Sequence, residues 1–260
     1  MDDIPLKITV ATVTFNAGEL LARTINSVEQ QTYPFVEHLI IDGNSQDNTM
    51  EAIHHYQAQN SLAEIRHEVN ALSEPDDGLY DAMNKALQMA TGEYILFLNA
   101  GDQFHSKDLL DHIAKAAKEG LTEGQLPAVI YGDTDIVDGQ GTFLHKRPLT
   151  PPEQLSWKSF KQGMLVCHQA FFARTDLALE ASYNEHYRFS ADFDWCIRVM
   201  QKAKKQNLAI VNAHVVVADY LKEGMTTQHH TASLRERFWI MKQHYGFFPT
   251  LFRHIRFLVR

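Results

Sequence analysis

The chain has 260 residues, of which 45% are hydrophobic, and a formal net charge of −8, enough length and apolar content to bury one full core. The acidic balance excludes nucleic-acid binding driven by a general basic surface, and no run approaches the roughly 18 apolar residues of a membrane span. Cys167 and Cys196 form neither a CxxC pair nor a metal-ligand spacing, and the start Met-Asp-Asp-Ile-Pro carries no positive-then-apolar signal pattern, so a reducing cytoplasm is the expected setting.

Lys7 to Thr14 is rich in β-branched residues and reads as a strand. The turn Asn16-Ala17-Gly18 follows, then an amphipathic segment from Glu19 to Gln30, which makes a β-loop-α unit. The unit repeats: His38 to Ile41 is a short apolar run, Asp42 to Ser45 a turn, and Asp47 can cap a helix running to about Gln59. A third strand is expected near Ile65 to Val69. A helix from Leu79 to Met89 precedes Tyr94 to Leu98, whose continuous apolar run suits a central strand covered on both faces. Strands alternating with helices predict an α/β fold with a mostly parallel sheet flanked by helices.

Beyond Asp102 the pattern loosens. A helix over about Lys107 to Lys118 leads to a strand at Ala128 to Tyr131 and a hairpin-like turn at Asp138 to Gly141. Pro148, Pro151 and Pro152 mark a loop, His168 to Arg174 reads as a strand, Asp192 to Lys202 as a helix and Leu208 to Ala218 as a strand. The division expected is one body over residues 1–230, with halves at 1–102 and 103–230, and a tail over 231–260. From Arg235 onward, Arg235, Arg237, Lys242, Arg253, Arg256 and Arg260 face the single acid Glu236, and aromatic and aliphatic residues interleave with them. Residues 238–260 therefore read either as an interfacial membrane segment or as a helix packed on the body or on a second subunit.

Several polar groups stand where chemistry is expected. Asp42 ends a buried strand, several residues before the next helix starts, so it is placed to meet a nucleobase or ribose rather than to cap. Asp47 and Thr49 fit capping better. Asn84 and Lys85 share the polar face of their helix, near Glu74, Asp76 and Asp77, where the lysine can balance those acids or meet a diphosphate. In Asn99-Ala-Gly-Asp102 a carboxylate just past a central strand can ligate a hard divalent cation, with Gly101 allowing close approach. Asp192 and Asp194 lie at a helix start, where capping competes with a role as general base. His168-Gln169 and His229-His230 are candidate ligand contacts, although a lone histidine is more often structural or solvated.

Together these segments resemble glycosyltransferase family 2, the inverting nucleotide-sugar transferases of the GT-A fold, from about Lys7 to Ala203. Thr14-Phe15-Asn16 and Asp42-Gly-x-Ser45 are similar to its nucleotide-contacting turns. The stretch from Ser73 through Glu74, Asp76 and Asn84 to Lys85 resembles a signature of members that build bacterial envelope polysaccharides. Asn99 to Asp102 occupies the position of the DxD metal motif with Asp102 as its carboxylate, and Ala191-Asp192-Phe-Asp194 that of the base motif, with Ala191 where many relatives carry Glu.

The resemblance implies Mg²⁺ or Mn²⁺ at Asp102, helped by His229 and Lys85, a nucleotide sugar with UDP-sugars favoured, and Asp192 as base. It implies a glycan or polyprenyl-diphosphate-linked acceptor; if that acceptor is lipid-linked, an interfacial tail would hold the cytoplasmic enzyme peripherally at the inner face of the membrane. A homo-oligomer is compatible with the sequence. No QxxRW motif of processive synthases is present, so transfer of one sugar at a time is expected. The competing readings are a non-catalytic nucleotide-sugar binding or scaffold protein and a nucleotidyltransferase.

Overall fold

The computed structural model describes residues 5–222 and 230–258. Strand β1 (Ile8–Thr14) is buried at every position, as its β-branched run requires of a strand covered on both faces. Helix α1 (Gly18–Glu29) carries the chain to β2 (Val36–Asp42), α2 (Thr49–Asn60) to β3 (Glu68–Ser73), and α3 (Leu79–Met89) to β4 (Tyr94–Phe97). These strands pair in parallel in the order β3-β2-β1-β4, so their carboxyl ends share one edge, where Thr14 pairs with Asp42 and Asp42 with Ser73.

The remainder extends the same sheet. A short β5 (Gln103–Phe104) and helix α4 (Leu109–Glu119) precede β6 (Val129–Val137), which turns back into β7 (Phe143–Lys146). β8 (Phe171–Arg174) runs antiparallel between β4 and β6. Helices α5 (Thr175–Glu180) and α6 (Ala191–Lys205) lead to β9 (Ile210–Leu221), which pairs in parallel with β6 and antiparallel with β5. Among the described residues the sheet has nine strands, and a single large core unites both halves around Trp195, Tyr94, Tyr131 and Phe171.

Three details differ from the expected boundaries. β3 begins at Glu68, because its register with β2 runs from Glu37–Glu68 to Asp42–Ser73. As an edge strand it tolerates the polar Glu68, Asn70 and Ser73, so its apolar residues mark its bounds poorly. His168–Ala170 forms a 3₁₀ turn before β8. The segment after residue 230 forms two helices, α7 (His230–Tyr245) and α8 (Phe247–Leu258).

Helix α7 is seated in the body. Ile240 and Met241 are buried in the core, and Glu236 accepts hydrogen bonds from the backbone N–H groups of Arg188 and Phe189 at 2.8 Å each. His244 lies 2.7 Å from the buried Asp194 carboxylate, which also accepts from Arg198 at 2.6 Å. Asp194 therefore ties α6 to α7.

Besides Asp42 at its end, β2 buries Glu37 and His38, each with partners. Glu37 accepts from Thr9, from the Thr91 hydroxyl and from the Thr91 N–H, at 2.5–2.9 Å. His38 sits between Thr12 and Tyr56, and burial pushes its pKa down to about 3, so the imidazole is neutral in the fold.

Candidate active site

A cleft of about 650 Å³ opens at the carboxyl edge of the parallel strands. The end of β1 supplies Thr14 and Phe15, the loop after β3 supplies Asp76, and the turn after β4 supplies Asn99 and Asp102. From the second half come His168, Gln169 and Asp192, with Arg147 and Arg237 adding two guanidinium groups. Phe15 is 62% exposed, an apolar face presented at the cleft mouth.

Asp102 is 4% exposed. The preceding turn is closed by the Asp102 N–H donating to the Asn99 carbonyl at 3.0 Å, with Gly101 at φ 100, a conformation that favours glycine. Its Oδ1 accepts from the Leu221 N–H at 3.0 Å and its Oδ2 from the Gln169 amide at 2.9 Å. Burial nevertheless dominates and pushes its pKa up to about 6.

Asp192 begins α6 and is 9% exposed. Its Oδ1 accepts from the Tyr80 hydroxyl at 3.2 Å, and its Oδ2 lies 3.2 Å from His168 Nδ1. Burial alone would raise its pKa, but the hydrogen bond and charge of His168, with Arg237 behind, outweigh that and hold it below the ordinary carboxylate value. His168 Nε2 lies 3.3 Å from the Asn99 amide nitrogen, so the ring bridges Asp192 and Asn99. One 3₁₀ turn thus serves both acids, His168 orienting Asp192 and Gln169 orienting Asp102.

The cleft fits a hard divalent cation of the kind that keeps most of its coordination to phosphates and water. Asp102 offers the carboxylate, and the Asn99 amide oxygen is buried without a hydrogen-bond partner. Two oxygen donors are a small set for an all-protein cage but a usual one where phosphates complete the shell.

Six of the expected donor-site residues stand elsewhere. Asp42 is 1% exposed, and its carboxylate is taken by Ser45 Oγ, by the Ser45 N–H at 3.0 Å and by Ser73 Oγ at 2.6 Å. Ser45 in turn accepts from the Asn16 N–H, and Asn16 Oδ1 accepts from the Gln46 N–H, which fastens the turns after β1 and β2 together. Asn84 clamps Tyr183 through both its N–H and its carbonyl, and Lys85 balances Glu74 at 2.9 Å and Asp81 at 3.3 Å. None of Asn16, Asp42, Ser45, Glu74, Asn84 and Lys85 lines the cleft. His229 falls outside the described residues. Tyr80, Arg147, Gln169 and Arg237 line the cleft without having been singled out as site residues. Tyr80 lies inside the quoted signature and Gln169 beside His168, whereas Arg147 stands at an ordinary loop position.

The chain matches the model of glycosyl transferase family 2 over residues 9–180. The PGL/p-HBAD biosynthesis glycosyltransferase of Mycobacterium bovis (strain BCG / Pasteur 1173P2) is 31% identical over 218 residues, covering 81% of this chain and 75% of the relative. The amylovoran biosynthesis glycosyltransferase AmsB of Erwinia amylovora is 26% identical over 255 residues, covering 94% of this chain and 80% of the relative. Among solved structures, S. aureus TarS 1-349 in complex with UDP-GlcNAc matches 92% of this chain with a TM-score of 0.70 at 19% identity, and this chain spans 65% of that one's length. At that identity the likeness shows the fold.

Proposed function

The chain belongs to glycosyl transferase family 2, and from that premise we propose that it transfers one sugar from a nucleoside-diphosphate sugar, with inversion, to a hydroxyl of a glycan or polyprenyl-diphosphate-linked acceptor. A uridine diphosphate sugar is the favoured donor class, as in the TarS complex with UDP-GlcNAc. The observation that carries the reading is the placement of Asp102 and Asp192 in one cleft, each held by a neighbour on the 168–170 turn.

Asp192 takes the proton from the acceptor hydroxyl as that oxygen attacks the anomeric carbon from the face opposite the diphosphate. Its lowered pKa keeps it ionised near neutrality, and Tyr80 and His168 fix its two oxygens. Arg147 is anchored to the carbonyls of Leu149, Met164 and Leu165, which leaves its charge in the cleft wall. Together with Arg237 it favours the negative charge that builds on the departing diphosphate. A divalent cation bound at Asp102 and Asn99, Mg²⁺ or Mn²⁺, would neutralise that charge further. Phe15 offers a surface on which a nucleobase can pack.

The enzyme acts at a membrane surface in this reading. Phe248, Phe252 and Ile255 of α8 are 71%, 72% and 52% exposed and follow one helical stripe, and the tail is basic. No helix among the described residues is long and apolar enough to cross a membrane. Flotation with anionic liposomes tests the location: replacing Phe248 and Phe252 by serine should abolish binding, and unchanged binding would dismiss it. The transfer itself is tested by the anomeric configuration of the product by NMR, with retention of the donor configuration overturning the proposal.

A further inference from the structure

We propose that His105, Asp135 and Asp219 form a second divalent-cation site, on β5, β6 and β9, separate from the donor cleft and independent of the reaction assigned to it. One ligand atom from each of the three side chains lies within 4.8 Å of the others. His105 Nδ1 is 2.8 Å from Asp219 Oδ1, and Gln103 donates to Asp219 Oδ2 at 3.3 Å.

Asp135 carries the argument. It is 8% exposed, and among the described residues its carboxylate has neither a hydrogen bond nor an ion pair. It stands directly opposite Asp219 in the β6–β9 register, a like-charge pairing that a sheet disfavours. Lys146 pairs with Asp135 in the β6–β7 register, but it is exposed and makes no ion pair with it. A buried unpaired carboxylate facing a second one is costly, and a cation between them removes both costs.

None of the three side chains lines the donor cleft. Ile136 and Tyr220, the next residues on each strand, do, and strand alternation turns Asp135 and Asp219 away from it. One imidazole with two carboxylates suits a borderline first-row ion such as Zn²⁺ or Co²⁺ better than Mg²⁺ or Ca²⁺. Tetrahedral ligation at about 2.0–2.2 Å would bring the three atoms to roughly 3.3–3.6 Å of one another, a contraction of at most about 1.5 Å from the 4.8 Å within which they already lie. The His105 side chain is 44% exposed, which gives the ion a path of entry.

The site has a structural consequence for the cleft. β5 follows directly on Asp102, and β9 ends at Leu221, whose N–H holds the Asp102 carboxylate. An ion that pins β5, β6 and β9 together therefore stiffens both segments that position Asp102.

The test uses the full chain stripped of metal and free of nucleotide, titrated with Co²⁺ and followed by its visible absorption, then with Zn²⁺ by calorimetry. The wild type should bind one equivalent with a rise in melting temperature, Asp135→Asn and Asp219→Asn should bind at least about 100-fold more weakly, beyond what loss of an outer-shell partner costs, and Asp102→Asn should bind as the wild type does. Where an aspartate variant does not fold, His105→Ala replaces it with the same expected loss. No binding by the wild type, wild-type affinity in the folded ligand variants, or loss of binding in Asp102→Asn would each overturn the proposal.

Discussion

Replacing Asp102 by asparagine should stabilise the metal-free protein near neutral pH, and the gain should appear only where the carboxyl would be ionised. The folded carboxyl titrates at about 6 against an ordinary value of 3.8. Because its pKa is raised, the folded protein retains a proton that the unfolded chain has released between about pH 4 and pH 6. Stability therefore falls as pH rises through that window and is level above it. A difference of about two pKa units corresponds to about 3 kcal/mol. Asparagine keeps an oxygen for the Leu221 N–H and carries no charge to bury. Urea unfolding of both proteins in EDTA, from pH 4.5 to 8, isolates the effect as the difference between them. That difference should move toward the asparagine variant by up to about 3 kcal/mol across the window. Adding Mn²⁺ with a nucleoside diphosphate should reverse it, since only the carboxylate ligates well. A difference that does not change with pH, or that grows in favour of the wild type, would show that burial does not hold a proton on Asp102.

His38 shifts the other way. Its folded pKa of about 3 lies below the ordinary 6.5, so the stability of the neutral imidazole is full above pH 6.5 and is lost as pH falls. Between pH 7 and 5 the wild type should lose about 2 kcal/mol that a His38→Gln variant retains, measured by the same denaturant titrations. Asp194→Ala should cost about 3–5 kcal/mol, because it strands Arg198 and His244 at a buried helix contact, and calorimetric melting reads it directly. His168→Gln removes the main group that lowers the Asp192 pKa, so the acid limb of the pH–rate profile for transfer should move to higher pH. An unmoved limb would remove His168 from that role.

The parallel half of the fold is legible because its signals are local: β-branched runs ending in polar turns, each followed by an amphipathic helix. The β4 run and the Asn99–Asp102 turn stand where the apolar stretch ends, so Asp102 is placed at the sheet edge by sequence alone. The rest depends on distant contacts. Asp42 looks like a ligand-facing carboxylate, and it also accepts from Ser45 and Ser73, the latter reaching it only through the β2–β3 register. Lys85 carries the same ambiguity, and in the fold it pairs with Glu74 and Asp81. Arg237 reaches the cleft only because Ile240 and Met241 draw α7 into the core, and a scan of the basic tail reads it as one charge among several.

Asp192→Asn tests the central claim most directly, with donor binding and transfer measured on the same preparation. Nucleotide-sugar affinity should stay within a few-fold of the wild type while transfer falls by about 10²–10⁴-fold, the usual contribution of a general base. Near-normal transfer by the folded variant would contradict that claim.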